Sequence, residues 1–298
     1  MPAEGLPWLP RAELLSDAEI LRVIAVAVSV GIDDIRFTGG EPLLRPGLLD
    51  LVAASAALDP RPRISLTTNG LGLARLAEPL RAAGLDRVNV SLDTLDRQTF
   101  RLLTRRDRLA DVLAGLAAAK AAGLDPVKVN AVLIRDVNDS HGPELLDYCL
   151  ENGYQLRFIE QMPLDAQHSW DRSAMITAQQ ILDRLAQRYL LTPLGGRGAA
   201  PAELFAVDGG PAVVGVIGSV SRPFCAACDR VRLTADGQLR NCLFATSETD
   251  VRSALRDGRD DQAIAQVLQA AVGPKKAGHG LDDPGFLQPV RTMSAIGG

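Results

Sequence analysis

The sequence predicts an α/β fold, a partial TIM-type (β/α) barrel followed by a C-terminal extension that carries a metal site. Three observations carry this expectation. Strand-like and helix-like stretches alternate five times before residue 163. The C-terminal end of each strand is polar or glycine-rich. Three of the four cysteines fall between Cys225 and Cys242. Short alternating βα units imply a parallel sheet, and their recurrence favours a barrel.

The elements can be justified in order. Residues 1–12 are proline-rich and irregular. Ser16-Asp-Ala-Glu19 has the form of a capping box, so a helix is expected to about Val30, where Gly31 stops it. Asp34–Thr38 reads as a strand ending in Gly39-Gly40-Glu41-Pro42, followed by a helix over 46–58. Arg63–Thr68 is a second strand, ending at Asn69-Gly70, with a helix over 73–83. Arg87–Ser91 is a third, with helices over 96–103 and 109–122. Residues 126–133 are a fourth, with a helix over 143–152. Gln155–Glu160 is a fifth, ending at Gln161-Met162-Pro163. The strand ends place Thr38–Glu41, Thr67–Gly70, Ser91–Asp93, Asn130 and Glu160–Met162 on one rim, where barrels build their sites.

The pattern changes after Pro163. A loop over 164–173, a helix over 178–189, a glycine-rich loop over 195–201 and a strand over 212–220 lead into the cysteine stretch. Helices are expected over 248–256 and 260–271, then an irregular tail. We therefore divide the chain into a core of residues 1–163 and an extension of residues 164–298.

Composition narrows the function classes. The formal net charge is −4 over 298 residues, so no overall basic footprint points to nucleic acid. No run of about 18 uncharged apolar residues predicts a membrane span. The N-terminus lacks the regions of a signal peptide, and clustered cysteines suit a reducing cytoplasm better than a disulfide framework. No G-x-x-x-x-G-K-[ST] loop occurs.

The chemistry concentrates in Cys225-Ala-Ala-Cys228 and Cys242, which follows after thirteen residues. A C-x2-C turn aims two thiolates at one point. Arg230–Thr234 and Gln238–Asn241 read as a hairpin that returns Cys242 beside them. Three thiolates with an open fourth position suit an iron–sulfur cluster, or zinc with a water or substrate. Buried free cysteines are the bland alternative. Arg36, Lys128, Arg157, Arg230 and Arg232 lie inside strand segments. Each could face solvent; facing one cavity, they would hold a strongly anionic ligand such as a triphosphate. His141, His168 and His279 have no ligand spacing, Cys149 reads as core, and Lys275-Lys276 reads as solvated.

With Met1–Gly5, Arg36-Phe-Thr-Gly-Gly-Glu-Pro-Leu43, Leu66–Gly70, Asn89–Asp93, Val127–Asn130, Arg157–Glu160, Phe224–Leu233, Cys242–Ala245 and Gly297-Gly298 in view, the chain resembles the radical S-adenosylmethionine (SAM) GTP 3',8-cyclase family of molybdenum cofactor biosynthesis. The resemblance implies a second [4Fe–4S] cluster on Cys225, Cys228 and Cys242. It implies GTP contacts at Arg36, Thr67, Lys128, Arg230, Val231 and Arg232, and SAM contacts at Gly40, Ser91 and Met162. It implies that Gly297 and Gly298 reach the active site. A deoxyadenosyl radical would take hydrogen from C3' of GTP, and the resulting carbon radical would close onto C8, making the enzyme a lyase. The implied partners are GTP, SAM, an electron donor and the next enzyme of the molybdopterin pathway, with a homodimer allowed, in the cytoplasm. One departure stands out. The family's first [4Fe–4S] cluster needs a C-x3-C-x2-C motif, which would precede Met1, as would the first barrel strand. The chain as written is therefore expected not to generate the radical. A non-catalytic GTP- and cluster-binding protein and a zinc-bearing module are the competing readings.

Overall fold

The structure, a computed structural model, describes residues 9–165, 170–281 and 286–296. Met1–Gly5, His168, Gly297 and Gly298, singled out above, lie outside them. The chain opens with α1 (Asp17–Ser29). Its start is the expected capping box: the Ser16 hydroxyl accepts from the Glu19 amide at 3.2 Å, and the Glu19 carboxylate accepts from the Ser16 amide at 2.7 Å. There follow β1 (Asp34–Phe37), α2 (Leu48–Ala56), β2 (Arg63–Thr68), α3 (Leu73–Ala82), β3 (Arg87–Ser91), α4 (Arg97–Thr104), α5 (Leu109–Ala121), β4 (Val127–Val132), α6 (Gly142–Asn152) and β5 (Gln155–Ile159). These match the expected elements to within one or two residues. At the end of α6, Gly153 takes φ +66°, and its N–H bonds the Cys149 and Leu150 carbonyls. That left-handed cap turns the chain into β5 at little steric cost.

The C-terminal half contributes α7 (Ala178–Leu185), β6 (Leu191–Pro193), β7 (Glu203–Val207), β8 (Val213–Ile217), β9 (Arg232–Leu233), β10 (Gln238–Arg240), β11 (Thr249–Asp250), α8 (Arg252–Arg256), α9 (Asp261–Val272) and α10 (Met293–Ile296). The strands over 191–193 and 203–207 were not expected; they flank the glycine-rich loop. An eight-stranded sheet runs in the order β1-β2-β3-β4-β5-β8-β7-β6. β1 to β5 and β8 are mutually parallel, while β7 and β6 fold back antiparallel. Residues 191–217 thus add three strands to the sheet begun by the βα units. β1 is an edge strand among the described residues.

The register decides what each face carries. Arg36, Ser65 and Arg87 form one rung. Thr67, Asn89, Lys128 and Gln155 form a second, and Ser91, Asn130, Arg157 and Gly215 a third. Between them lie apolar rungs such as Leu66 and Val88 with Val127, and Ala131 with Phe158 and Val216. Side chains alternate sides along a strand, so one face is polar and the other apolar. A parallel sheet packed by helices on both faces reads as nearly continuous apolar runs. Here the polar face must line an interior cavity, as in a barrel.

The apolar face packs against the helices. Leu66, Val88, Val129, Leu156, Phe158 and Val214 are fully buried there with Leu73, Leu80, Leu116 and Leu146. A second core joins the two ends of the chain: Leu15, Val23 and Val26 pack with Leu239, Val251, Leu255, Ile264 and Leu268. Each such side chain contributes roughly 1.5–3 kcal/mol when buried. The Leu15 amide also donates to the Ala235 carbonyl at 2.8 Å, so the N-terminal segment is tied to the hairpin carrying the cysteines.

Candidate active site

Four strands deliver cations to the polar face. Arg36, Arg87, Lys128 and Arg157 point into one cavity because their rungs share parity. Their pKa directions follow from the same placement. Burial pushes Lys128 down to about 7, helped by the fields of Arg157, Arg87 and Arg36 and opposed by Asp34. Burial, then Arg36 and Arg87, holds Arg157 down at about 10. Arg36 is lowered by the protein around it, against the pull of Asp34, and further by Arg87 and Arg230. Its own surface is nevertheless exposed, so the cavity is open at the β1 edge.

The hairpin of β9 and β10 completes this set. Burial, followed by Arg230, pushes Arg232 down to about 10; Cys242 and Cys228 oppose the shift, and Arg36 adds to it. Arg36 therefore feels Arg230, and Arg232 feels Arg36. The cysteine segment thus adds Arg230 and Arg232 to the four cations on the polar face of the sheet, six basic side chains in mutual reach. Asp34 is the acid that Arg36 and Lys128 feel, and it is already held by Arg87 at 2.5 Å. Such a pocket is short of negative charge.

Uncharged donors and acceptors add selectivity. The Asn89 amide donates to Thr67 Oγ1 at 3.0 Å, leaving its own Oδ1 buried without a hydrogen-bond partner. Asn130 Oδ1 and Arg157 Nε are orphaned in the same way. Orphaned buried polar atoms are costly in a finished core and expected in a pocket awaiting a ligand. Gly215 makes room beside Arg157: a Cβ there would meet Arg157 Cγ at 3.1 Å and the Ala202 Cβ at 3.2 Å.

The three thiols stand at the other wall. Residues 225–227 form a tight turn, closed by the Cys228 amide donating to the Cys225 carbonyl at 3.1 Å. Burial raises Cys225, and the charges of Cys242 and Cys228 raise it further. The hairpin thus brings Cys242 into the field of the C-x2-C turn, as the spacing implied. Cys228 is lowered against its burial by Arg230, first through its backbone amide and then through its guanidinium, which donates to the sulfur at 3.2 Å. Arg230 also lies 4.9 Å from the Phe224 ring centroid, with Arg197 at 5.2 Å. Among the described residues no three His, Cys, Asp or Glu side chains are arranged to hold a metal ion. The thiols share one field without having closed on one point. The donor set itself, three soft sulfurs and no carboxylate, fits an iron–sulfur cluster or zinc and not a hard cation.

Gly40, Ser91 and Met162 sit at the C-terminal ends of β1, β3 and β5, as expected of the rim. The chain end reaches the same region: a Cβ on Gly40 would approach the Ser294 carbonyl at 4.0 Å, and the Met293 amide donates to the Leu164 carbonyl at 3.2 Å. Val231 stands half-buried between the two arginines.

Two acidic rim residues serve the fold. Glu41 accepts from Thr68 Oγ1 at 2.6 Å and the Asn69 amide at 2.8 Å, pinning the first rim loop to the second strand. Buried Glu160 accepts from the amides of Ala178, Val220 and Ser221 at 2.5, 2.7 and 2.8 Å, and from the Ser221 hydroxyl. It seats the segment leading into the cysteines. Lys275 corrects an expectation. It is bonded into the hairpin, whereas Lys276 is exposed. Cys149 is core, its thiol pushed up to about 12 by burial. Arg87 was missed by sequence reasoning. Its signal was parity: it alternates with Asn89 and Ser91.

Comparison with known proteins identifies the family. Residues 4–149 match the Radical SAM superfamily, and residues 154–281 match the Molybdenum Cofactor Synthesis C family. A GTP 3',8-cyclase of Streptomyces coelicolor is 63% identical over 301 residues, covering 100% of this chain and 88% of that protein. One from a Mycobacterium species is 61% identical over 300 residues, covering 100% and 86%. One from Mycolicibacterium smegmatis is 61% identical over 304 residues, covering 100% and 84%. On these relatives the chain belongs to the GTP 3',8-cyclase family.

Proposed function

We propose that the polar face of the sheet and the cysteine hairpin form a single GTP site, and that the chain serves radical SAM-dependent cyclisation of GTP in molybdenum cofactor biosynthesis. The observation that supports this most is the set of six cations contributed by the two parts of the chain, with Lys128 driven down to about 7 by burial and then by its cationic neighbours. A triphosphate supplies the several negative charges that such a pocket lacks, and charge-assisted hydrogen bonds are among the stronger ones.

The roles divide by position. Arg36, Lys128, Arg230 and Arg232 would hold the phosphates, with Arg157 and Arg87 behind them. Thr67, positioned by Asn89 at 3.0 Å, and the Val231 backbone would orient the nucleoside. Gly40, Ser91 and Met162, on the rim, would hold SAM, and Gly297 and Gly298 would follow the chain end toward the site. Cys225, Cys228 and Cys242 would hold a [4Fe–4S] cluster, the second of the family's two. When bound, that cluster offers an open iron to a ligand atom, and SAM supplies the radical chemistry that gives the superfamily its name. The chain's own residues desolvate and orient the nucleotide and keep a proton on Lys128 beside it. This reading makes the enzyme a lyase of the cytoplasm that works with an electron donor and hands its product to the next molybdopterin enzyme, with a homodimer allowed. It divides the chain at residues 163 and 164, the core holding SAM and the extension the cluster. No helix among the described residues is long and apolar enough to cross a membrane.

Calorimetric titration with GTP tests the site without requiring turnover. The chain should bind GTP and discriminate against guanosine, and Arg232→Met should weaken GTP at least tenfold. Equal affinity for GTP and guanosine would refute the assignment.

A further inference from the structure

Lys275 follows α9 as the chain leaves it, and its amide still donates to the Val272 carbonyl at 3.0 Å. Its ammonium donates to two carbonyls, Arg230 and Asn241, each at 2.6 Å. These belong to opposite arms of the hairpin. Arg230 precedes β9 and lies two residues after Cys228; Asn241 follows β10 and immediately precedes Cys242. The two strands pair only through Leu239 with Leu233 and Arg240 with Arg232. β10 also pairs with β11 on its other side, but only those two residue pairs join β9 to it, so short a ladder having little to keep its open end closed. The open end is where the thiols must meet. A second contact fixes the same end: Asn241 Nδ2 donates to the Ala271 carbonyl of α9 at 3.2 Å. α9 is itself anchored in the core that joins both ends of the chain.

We propose that Lys275 is a positioning residue of the three-thiol site: it clamps the two hairpin arms at the end where the cysteines converge and sets a fixed positive charge beside the cluster they hold. This rests on the cluster reading above. A cluster on three thiolates is anionic and gains negative charge on reduction. A cation at this place favours the reduced form, and hydrogen bonding and charge around the sulfurs are the protein's means of setting the potential.

Three variants separate clamp from charge: Lys275→Arg keeps both, Lys275→Gln keeps a donor without charge, and Lys275→Met removes both. The chain is reconstituted anaerobically with iron and sulfide. Iron per chain, the midpoint potential followed by electron paramagnetic resonance, and amide hydrogen exchange over 230–242 are measured, the last also on the metal-free chain. Lys275→Arg should match the original chain in all three. Lys275→Gln should shift the midpoint to a more negative potential with exchange little changed. Lys275→Met should hold less iron and exchange severalfold faster over 230–242. If Lys275→Met does not fold by circular dichroism, Lys275→Gln decides alone, and an unchanged midpoint there overturns the inference. An unchanged potential in Lys275→Gln, or unchanged exchange in a folded Lys275→Met, overturns the inference. If the original chain takes up no iron, the cluster reading and the proposed charge effect both fall, while exchange in the metal-free chain still decides the clamp.

Discussion

Raising the pH from 7 to 9 should weaken GTP binding by about 50-fold, through Lys128 alone. Its ammonium is held at about 7, against an ordinary 10.5, by burial and by Arg157, Arg87 and Arg36. Bound phosphates would supply the missing counter-charge and restore the ordinary value. Affinity then follows the fraction of ligand-free chain that already carries the proton. That fraction is about one half at pH 7 and about one hundredth at pH 9, which gives the ratio. The window starts at pH 7 because phosphate second ionisations finish near pH ~6. Calorimetric titrations at fixed ionic strength measure it, since salt would screen the same charges. Lys128→Met should bind more weakly at pH 7 and lose the slope. A flat affinity in the original chain, or an unchanged slope in Lys128→Met, would refute the reasoning. The ligand-free fold should respond with the opposite sign. A lysine whose folded pKa lies below its unfolded value binds fewer protons when folded. Lys128 therefore penalises the fold below pH ~7, and the penalty is relieved as pH rises from there toward 10.5. Urea unfolding across that range should show this contribution in the difference between the original chain and Lys128→Met.

Three further outcomes follow from the geometry. Arg157→Met keeps the volume and removes a buried guanidinium with an orphaned Nε; urea denaturation should find the ligand-free chain no less stable, or more stable by up to about 1 kcal/mol, with GTP affinity down at least tenfold. Glu160→Ala leaves three amides without their acceptor; it should cost about 3 kcal/mol in the same assay, and a loss below about 1 kcal/mol would show that the carboxylate is not the pin described. Gly215→Ala should push Arg157 aside, given the 3.1 Å approach to its Cγ, and lower GTP affinity while circular dichroism stays unchanged.

The local elements were legible because their causes are local. The Ser16 capping box, the Gly31 stop of α1 and the C-x2-C turn each act within a few residues, and the structure shows all three. The sheet's extension was not legible. β6 to β8 join β5 through pairings that sequence periodicity does not register, and β6 is only three residues long. Arg36, Lys128, Arg157, Arg230 and Arg232 could be named in advance as strand charges. Their convergence could not, since a lone charge on a strand can face either side.

The sequence by itself determined the βα alternation, the clustering of Cys225, Cys228 and Cys242, and the family. Tertiary structure decided which charges meet. Parallel register put Arg36, Arg87, Lys128 and Arg157 on one face of the sheet. The core between α1 and α9 carried Arg230, Arg232 and the cysteines up to them. It also turned Lys275 from an expected surface charge into a clamp. The physical reason is range: helix caps and tight turns are fixed by neighbours in sequence, whereas a pKa or a ligand pocket is the sum of fields from groups that only folding brings within reach.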